Sequence, residues 1–371
     1  MSEAPATFIV SYTEPLTKAE THLQLSFWQS SGEVALYDPK MRRAFLRRGV
    51  PRERLSLGSI YIGATIVIEA RPFAVLDYAD ATTRRIVGSA VGTTPLLVLP
   101  HAYSSAGKVL TVLRNEGIAV GRLRMVRFTA EEAAAYVALG GGETTSSIEI
   151  ASLSSEHCLA IECTGEDIVA RVHAAIGPAD PSTARAVAPR SIRALLGGAD
   201  RTKNVVRAAK SDAEGAAQIK FLFESPRLPT AVATHCAVCI VKPHAVAAGL
   251  TGDVLDTLLG AGLEVSAVRS IAFTRADAAD YLEPYKGVCV EYVRWVEELS
   301  SAPAVAIEVR SETAVEQLRE IAGPFDIAVA RILRPTSLRA RLGTDNILSV
   351  VHITDVDVDG PLESKFIFYV L

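Results

Sequence analysis

Apolar stretches along this chain recur twice in the same order, each time with the same change of period. "LLVLPHA" and "CIVKPHA" each end an apolar run at a Pro-His-Ala turn, as a strand buried in a sheet would. A segment of helical period follows, written "GDVLDTLLGAG" in the later occurrence and stopped by glycine. Next come an alternating strand, "LEVSAVRSIAF", and an alanine-rich helix. A buried strand "AVAIEV", a further helix, an irregular stretch containing Pro and Arg, and a closing strand "SKFIFYVL" complete the unit. The order βαββαβ with extra helices predicts an α+β fold of ferredoxin-like plan, an antiparallel sheet covered on one face by helices.

The recurrence is a true repeat. Pro100 aligns with Pro243 and Tyr136 with Tyr281, "SSEHCLAIE" with "SSAPAVAIE", "SIRALLG" with "SLRARLG", and Phe223 with Phe368. The offset stays near 145 residues throughout, so these are two copies of one domain and not a short-period solenoid. The predicted organisation is a first domain at 1–91, a first copy at 92–228, a linker at 229–235 and a second copy at 236–371. Outside the repeat, "GEVALYD" and "IGATIVIEARPF" belong to short β-branched and aromatic runs divided by Gly, Ser, Asp and Pro, which predicts a small β-rich domain.

Composition narrows the partners. With 371 residues there is material for two or three cores. The net charge of −4 with 22% charged residues lacks the basic excess of a nucleic-acid binder. No run of 18 apolar residues occurs and the start "MSEAPATFIV" is acidic, so neither a membrane span nor an export signal is expected. Five cysteines in mostly apolar runs suit reduced thiols in an intracellular compartment. His235, Cys236, Cys239 and His244 cluster in sequence, but Cys236 and Cys239 are expected to be small core residues of a strand and not zinc ligands.

The later copy carries a set of groups suited to phosphoryl transfer. A neutral imidazole held through its second nitrogen can attack phosphorus, and His352 with Glu363 could form such a pair. Lys242, Arg319 and Arg339 supply the positive charge that stabilises a phosphoryl group in flight. In the earlier copy the corresponding positions hold Arg207, Gln218, Leu99 and His173, with Arg193 and Tyr136 retained and Asn204 where the later copy has Ser349. Arginine stays protonated and has no lone pair to offer, so Arg207 cannot replace His352. The first copy is expected to be a catalytically silent fold.

"IVKPHAV", Tyr281, "LREIAG", "TSLRARLG" and "VVHITD" followed by Glu363 together resemble the nucleoside diphosphate kinase family, over the whole of both copies. The resemblance implies transfer of the γ-phosphate of a Mg2+-bound nucleoside triphosphate such as ATP to a nucleoside diphosphate through phospho-His352. It also implies phosphate contacts from Lys242, Arg319 and Arg339 and a supporting role for Tyr281. Thr354 stands where the family has Ser, and Asp355 matches its Asp. Ser349 stands where the family uses Asn on the nucleotide, and the family's phosphate-contacting Thr has no clear counterpart near Phe325. Ser349 and Thr354 are therefore expected among the nucleotide-binding residues, with weakened binding at Ser349.

Residues of about 8 to 90 resemble the DM-ten domain, a module of ciliary and flagellar proteins. A DM-ten domain ahead of two kinase copies resembles an axonemal branch of the family. That order implies a protein of the cytoskeleton in a cilium or flagellum, with tubulin and other doublet-microtubule proteins as partners. Its alternative reading is a catalytically silent, structural microtubule inner protein.

Overall fold

The computed structural model describes residues 4–14, 17–53, 55–87, 92–140, 147–198 and 204–371. The chain divides into two compact units, residues 1–92 with 271–304 and residues 93–270 with 305–371.

In the first unit, strands β1 (Ala6–Thr13), β2 (Glu20–Trp28), β3 (Glu33–Asp38), β4 (Arg43–Gly49), β5 (Thr65–Ile68) and β6 (Arg71–Tyr78) form an antiparallel sheet in the order β4-β3-β2-β1-β6-β5. The alternation "LQLSF" in β2 sends Leu23, Leu25 and Phe27 inward and leaves the residues between them less buried. They meet Phe8, Val10, Val34, Leu36, Phe73 and Val75 in one apolar core. Burying each of these larger side chains contributes roughly 1.5–3 kcal/mol. The same unit contains the helices Arg275–Tyr281 and Tyr292–Leu299, where Arg275 N–H donates to Ala70 O at 3.3 Å.

The second unit holds strands β7 (Gly92–Val98), β8 (Ala119–Arg127), β9 (His157–Gly165), β10 (Val206–Ala208), β11 (Cys236–Val241), β12 (Glu264–Ile271), β13 (Ala304–Arg310) and β14 (Val351–Ile353). Among the described residues they make one sheet, ordered β10-β7-β9-β8-β12-β13-β11-β14. Each copy of the repeat supplies four strands, and the sheets join where Arg124 of β8 faces Arg269 of β12. The helices Ala106–Asn115 and Thr251–Gly260 pack across the same junction. A Cβ on Gly107 would lie 2.5 Å from Asp256 N and Gly252 O, and one on Gly252 would lie 2.7 Å from Gly107 O. Glycine at both positions lets the two backbones touch. Arg114 pairs with Asp253 beside that contact, and Leu123 N–H donates to Ser270 Oγ at 2.8 Å.

Two expectations are corrected. The sheet is covered on both faces: Leu96, Val98, Leu159 and Ile161 enter one apolar cluster, while their neighbours Leu97, Cys158 and Ala160 enter another. "SKFIFYVL" is helical, with Gly360–Lys365 running into a wider turn at Phe366–Val370. Its buried residues Ser364, Ile367 and Phe368 fall at helical spacing. The fourth strand of the later copy is instead the three-residue β14, which carries His352. Cys236 and Cys239 lie in β11 as buried core residues, and three positions apart on a strand they point to opposite faces.

Candidate active site

His352 sits opposite Ile240 in the β11–β14 ladder, and Lys242 stands one residue beyond the end of β11. The end of β11 and the short strand β14 thus bring these two side chains to one end of the sheet. Lys242 is buried and its Nζ donates to Ser349 Oγ at 2.7 Å and to Ile347 O at 3.0 Å. Its main-chain N–H donates to Val350 O at 2.8 Å.

Val350 has φ +70, a conformation that β-branched residues rarely adopt, and Val351 N–H donates to Ser349 O at 2.8 Å. The three residues form a strained γ-turn immediately before the histidine. His244 stabilises it: its Nε2 accepts the Val350 N–H at 3.3 Å. Nothing in the sequence singled out His244 for this task beyond its place in the Pro-His-Ala turn.

Arg339 is buried, with its guanidinium donating to Gly323 O at 2.8 Å and to Val351 O at 3.4 Å, next to His352. Its guanidinium carbon lies 5.9 Å from the centroid of Phe325. Arg319 is exposed at the end of the helix Ala314–Ala322 and donates to Asp355 O at 3.3 Å. His352 keeps a partly exposed edge. Burial first, then the charges of Lys242 and Arg339, pull its pKa from 6.5 down to about 3. The imidazole is therefore neutral at physiological pH and keeps a lone pair.

Ser349 and Thr354 are fully buried. Ser349 accepts from Lys242, and Thr354 accepts Val238 N–H at 2.8 Å while donating to Glu363 Oε2 at 2.6 Å. Ser349 thus holds Lys242 and Thr354 holds Glu363, two of the side chains expected in the site. Tyr281, on the helix Arg275–Tyr281 of the other compact unit, is buried with its ring 5.9 Å from that of Phe273.

The first copy keeps the frame and refills it. Leu99 N–H donates to Val205 O at 3.0 Å, Arg193 donates to Gly177 O at 2.8 Å, and His173 Nε2 bonds Ala209 O at 2.8 Å. Arg207, opposite Leu97 on β10, pairs with Glu149 of the helix Ser147–Leu153 and lies over the Tyr136 ring at 5.7 Å. Tyr136 donates to Gln218 Oε1 at 3.2 Å, and Gln218 Nε2 donates to Glu214 Oε1 at 2.8 Å.

The sequence model for nucleoside diphosphate kinase matches residues 93–228 and again 235–370. Nucleoside diphosphate kinase homolog 7 of Mus musculus is 33% identical over 368 residues, covering 98% of this chain and 93% of its own length. The chain belongs to the nucleoside diphosphate kinase family. The homolog 7 of Rattus norvegicus matches with the same identity and coverage. A nucleoside diphosphate kinase of Aquifex aeolicus is 33% identical over 137 residues, 37% of this chain and 96% of that one. A crystal structure of the Aquifex nucleoside diphosphate kinase covers 36% of this chain and 94% of its own, with 33% identity and a TM-score of 0.35. Two tandem nucleoside diphosphate kinase domains of ferredoxin-like α+β character therefore occupy most of the sequence, and a family whose members act on nucleotides supplies the frame for His352.

Proposed function

We propose that the second copy is a working nucleoside diphosphate kinase. The neutral nitrogen of His352 attacks the γ-phosphorus of a nucleoside triphosphate, and an N–P bond forms as the bond from phosphorus to the β–γ bridging oxygen breaks. The diphosphate leaves with that electron pair. A second diphosphate then attacks the phosphohistidine through a terminal β-phosphate oxygen, the N–P bond breaks, and the imidazole is regenerated neutral. Mg2+ enters as part of the nucleotide substrate. Lys242, Arg319 and Arg339 offset the phosphoryl charge, Ser349 holds the Lys242 ammonium, and Thr354 holds the Glu363 carboxylate for orienting the imidazole. Tyr281 is assigned a supporting role on the family resemblance alone.

The observation that carries this reading is geometric: His352 stands in the ladder beside the end of β11, where Lys242 is fixed by Ser349 and Arg339 is fixed on Val351 O, so a partly exposed imidazole is grouped with two held cations. Exposure of the full chain to γ-labelled ATP tests it. Acid-labile, alkali-stable phosphate should appear on His352 and be discharged by a diphosphate. A wild-type protein that takes no label refutes it.

We further infer a structural task for the first copy, because the Arg207, Glu149, Tyr136 and Gln218 network keeps a folded site with no nucleophile in it. With the DM-ten resemblance of the β-rich N-terminal domain, this favours a protein of the ciliary or flagellar axoneme that binds tubulin and other doublet-microtubule proteins. It should stay with detergent-extracted axonemes in fractionation. Recovery wholly in the detergent-soluble fraction would refute that location and leave the enzymatic reading standing.

A further inference from the structure

Where the sheets of the two copies meet, a cavity of about 300 Å³ is lined by Arg122, Arg124, Arg227 and Arg269 together with Phe223 and Phe368. Its lining contains no acidic side chain. Arg122 is paired behind it with the buried Glu162, and Arg227 with Glu132, each at 2.7 Å. Among the described residues, Arg124 meets no carboxylate, and Arg269 meets only that of the last residue, Leu371. Arg124 donates to Leu222, Ser225 and Arg227 carbonyls at 3.3–3.4 Å, and Arg269 to the Ile367 carbonyl at 3.4 Å and to an oxygen of the terminal Leu371 carboxylate at 3.2 Å.

These bonds are long for N–H···O, so the guanidinium groups retain donor capacity. The two arginines face each other in the strand register, an arrangement of like charges that is unfavourable without an anion between them. Burial, reinforced by the charges of Arg227, Arg269 and Arg122, lowers the pKa of Arg124. A second observation points the same way. The Arg227 side chain is 8% exposed, and its Nε is buried without a hydrogen-bond partner among the described residues.

Capping main-chain oxygens of the terminal helices accounts for one edge of Arg124 and Arg269, but not for a cavity lined by four arginines and no acidic side chain. We propose that this cavity binds a small phosphate-bearing polyanion, with adjacent phosphoryl groups bridging Arg124 and Arg269 and a third contact from Arg227. One positive charge remains after Glu162, Glu132 and the Leu371 carboxylate are counted, and the long bonds of Arg124 leave its donors for the oxygens of an anionic phosphate ligand. The small volume favours such a molecule over a macromolecular segment.

The test uses the full chain carrying Lys242→Ala, which weakens phosphate binding at the kinase site, and pyrophosphate as the probe in calorimetric titration. Binding of one pyrophosphate per chain is expected, weakened about tenfold or more by Arg269→Gln or Arg124→Gln. Gln can still donate to the helix carbonyls, and Arg269→Lys, which keeps the charge, should bind in between. ATP in place of pyrophosphate distinguishes a nucleotide's phosphate chain from the free inorganic ion, because a tighter fit for either identifies the source. Equal binding by the Arg→Gln variants, no binding to the Lys242→Ala chain, or binding of a glutamate-rich peptide in preference to pyrophosphate would each overturn the proposal.

Discussion

At the end of the first strand of one copy stands Lys242, held by Ser349, and at the same place in the other stands Leu99. Opposite these strands lie a neutral His352 and a charged Arg207 already satisfied by Glu149. Yet the contacts that shape the two sites are shared: Arg339 reaches Gly323 O as Arg193 reaches Gly177 O, and His173 bonds Ala209 O where Arg319 bonds Asp355 O. The lesson is that frame and chemistry are separable. Bonds from side chains to main-chain oxygens recur in both copies, while the chemistry is decided by a few side chains whose replacements satisfy one another.

The sharpest way to break this comparison is His352→Ala. It should remove phosphohistidine labelling and lower kcat/KM by at least about 10³-fold, whereas Arg207→Ala should leave both unchanged. Label that persists in His352→Ala and vanishes in Arg207→Ala would exchange the roles of the copies.

A large effect of pH on stability should also belong to the second copy. The folded pKa of His352 is depressed, so below pH 6.5 the unfolded chain takes up a proton that the folded chain refuses until about pH 3. This contribution to stability is intact above pH 6.5 and is lost as pH falls through that window. Urea unfolding at pH 7 and at pH 4.5 should show a smaller loss in His352→Gln than in wild type. The kcat/KM profile should lack an acidic limb near pH 6.5.

Substitution at the crossing helices is the control, because there the copies are alike. Gly107→Ala and Gly252→Ala should each cost about 1–3 kcal/mol in denaturant unfolding, since the added methyl meets backbone that cannot yield. A loss at one glycine with none at the other would show that the junction is not built symmetrically.

Ser349→Ala should reduce kcat/KM about tenfold by releasing the Lys242 ammonium, and Asn204→Ala at the matching place should leave turnover unaffected. The smallest effect is expected from Arg207→Met. Its ion pair is partly solvated and the Tyr136 contact is modest, so a loss of about 1 kcal/mol is expected by thermal unfolding. Arg207→His should take no label, because Leu99 and Gln218 remain.

The repeat, the buried strands and the cationic groups around His352 were legible because each rests on local pattern or on side-chain chemistry. The closing segment was misread because Phe, Ile, Tyr and Val favour strands by propensity, while packing of Ser364, Ile367 and Phe368 on one side makes it helical. The bonds from Ser349 to Lys242 and from Thr354 to Glu363 were not legible, because a motif gives a position along the chain and not the direction a hydroxyl faces. The tasks of His244 and Glu149 escaped notice because both depend on tertiary contacts. Each acquires its task from a partner distant in sequence, Val350 and Arg207 respectively.

The brevity of β10 and β14 bears on solubility. They are the outer strands of the long sheet, and each has three residues. A sheet edge exposes unpaired amides on which another chain could grow, and very short rims give such growth little purchase. By joining their inner strands, the two copies place at the margins, among the described residues, the segments that carry Arg207 and His352. Anything that lengthened those segments by a few residues would offer a template for fibre-like stacking, so the same economy that leaves His352 accessible also discourages aggregation.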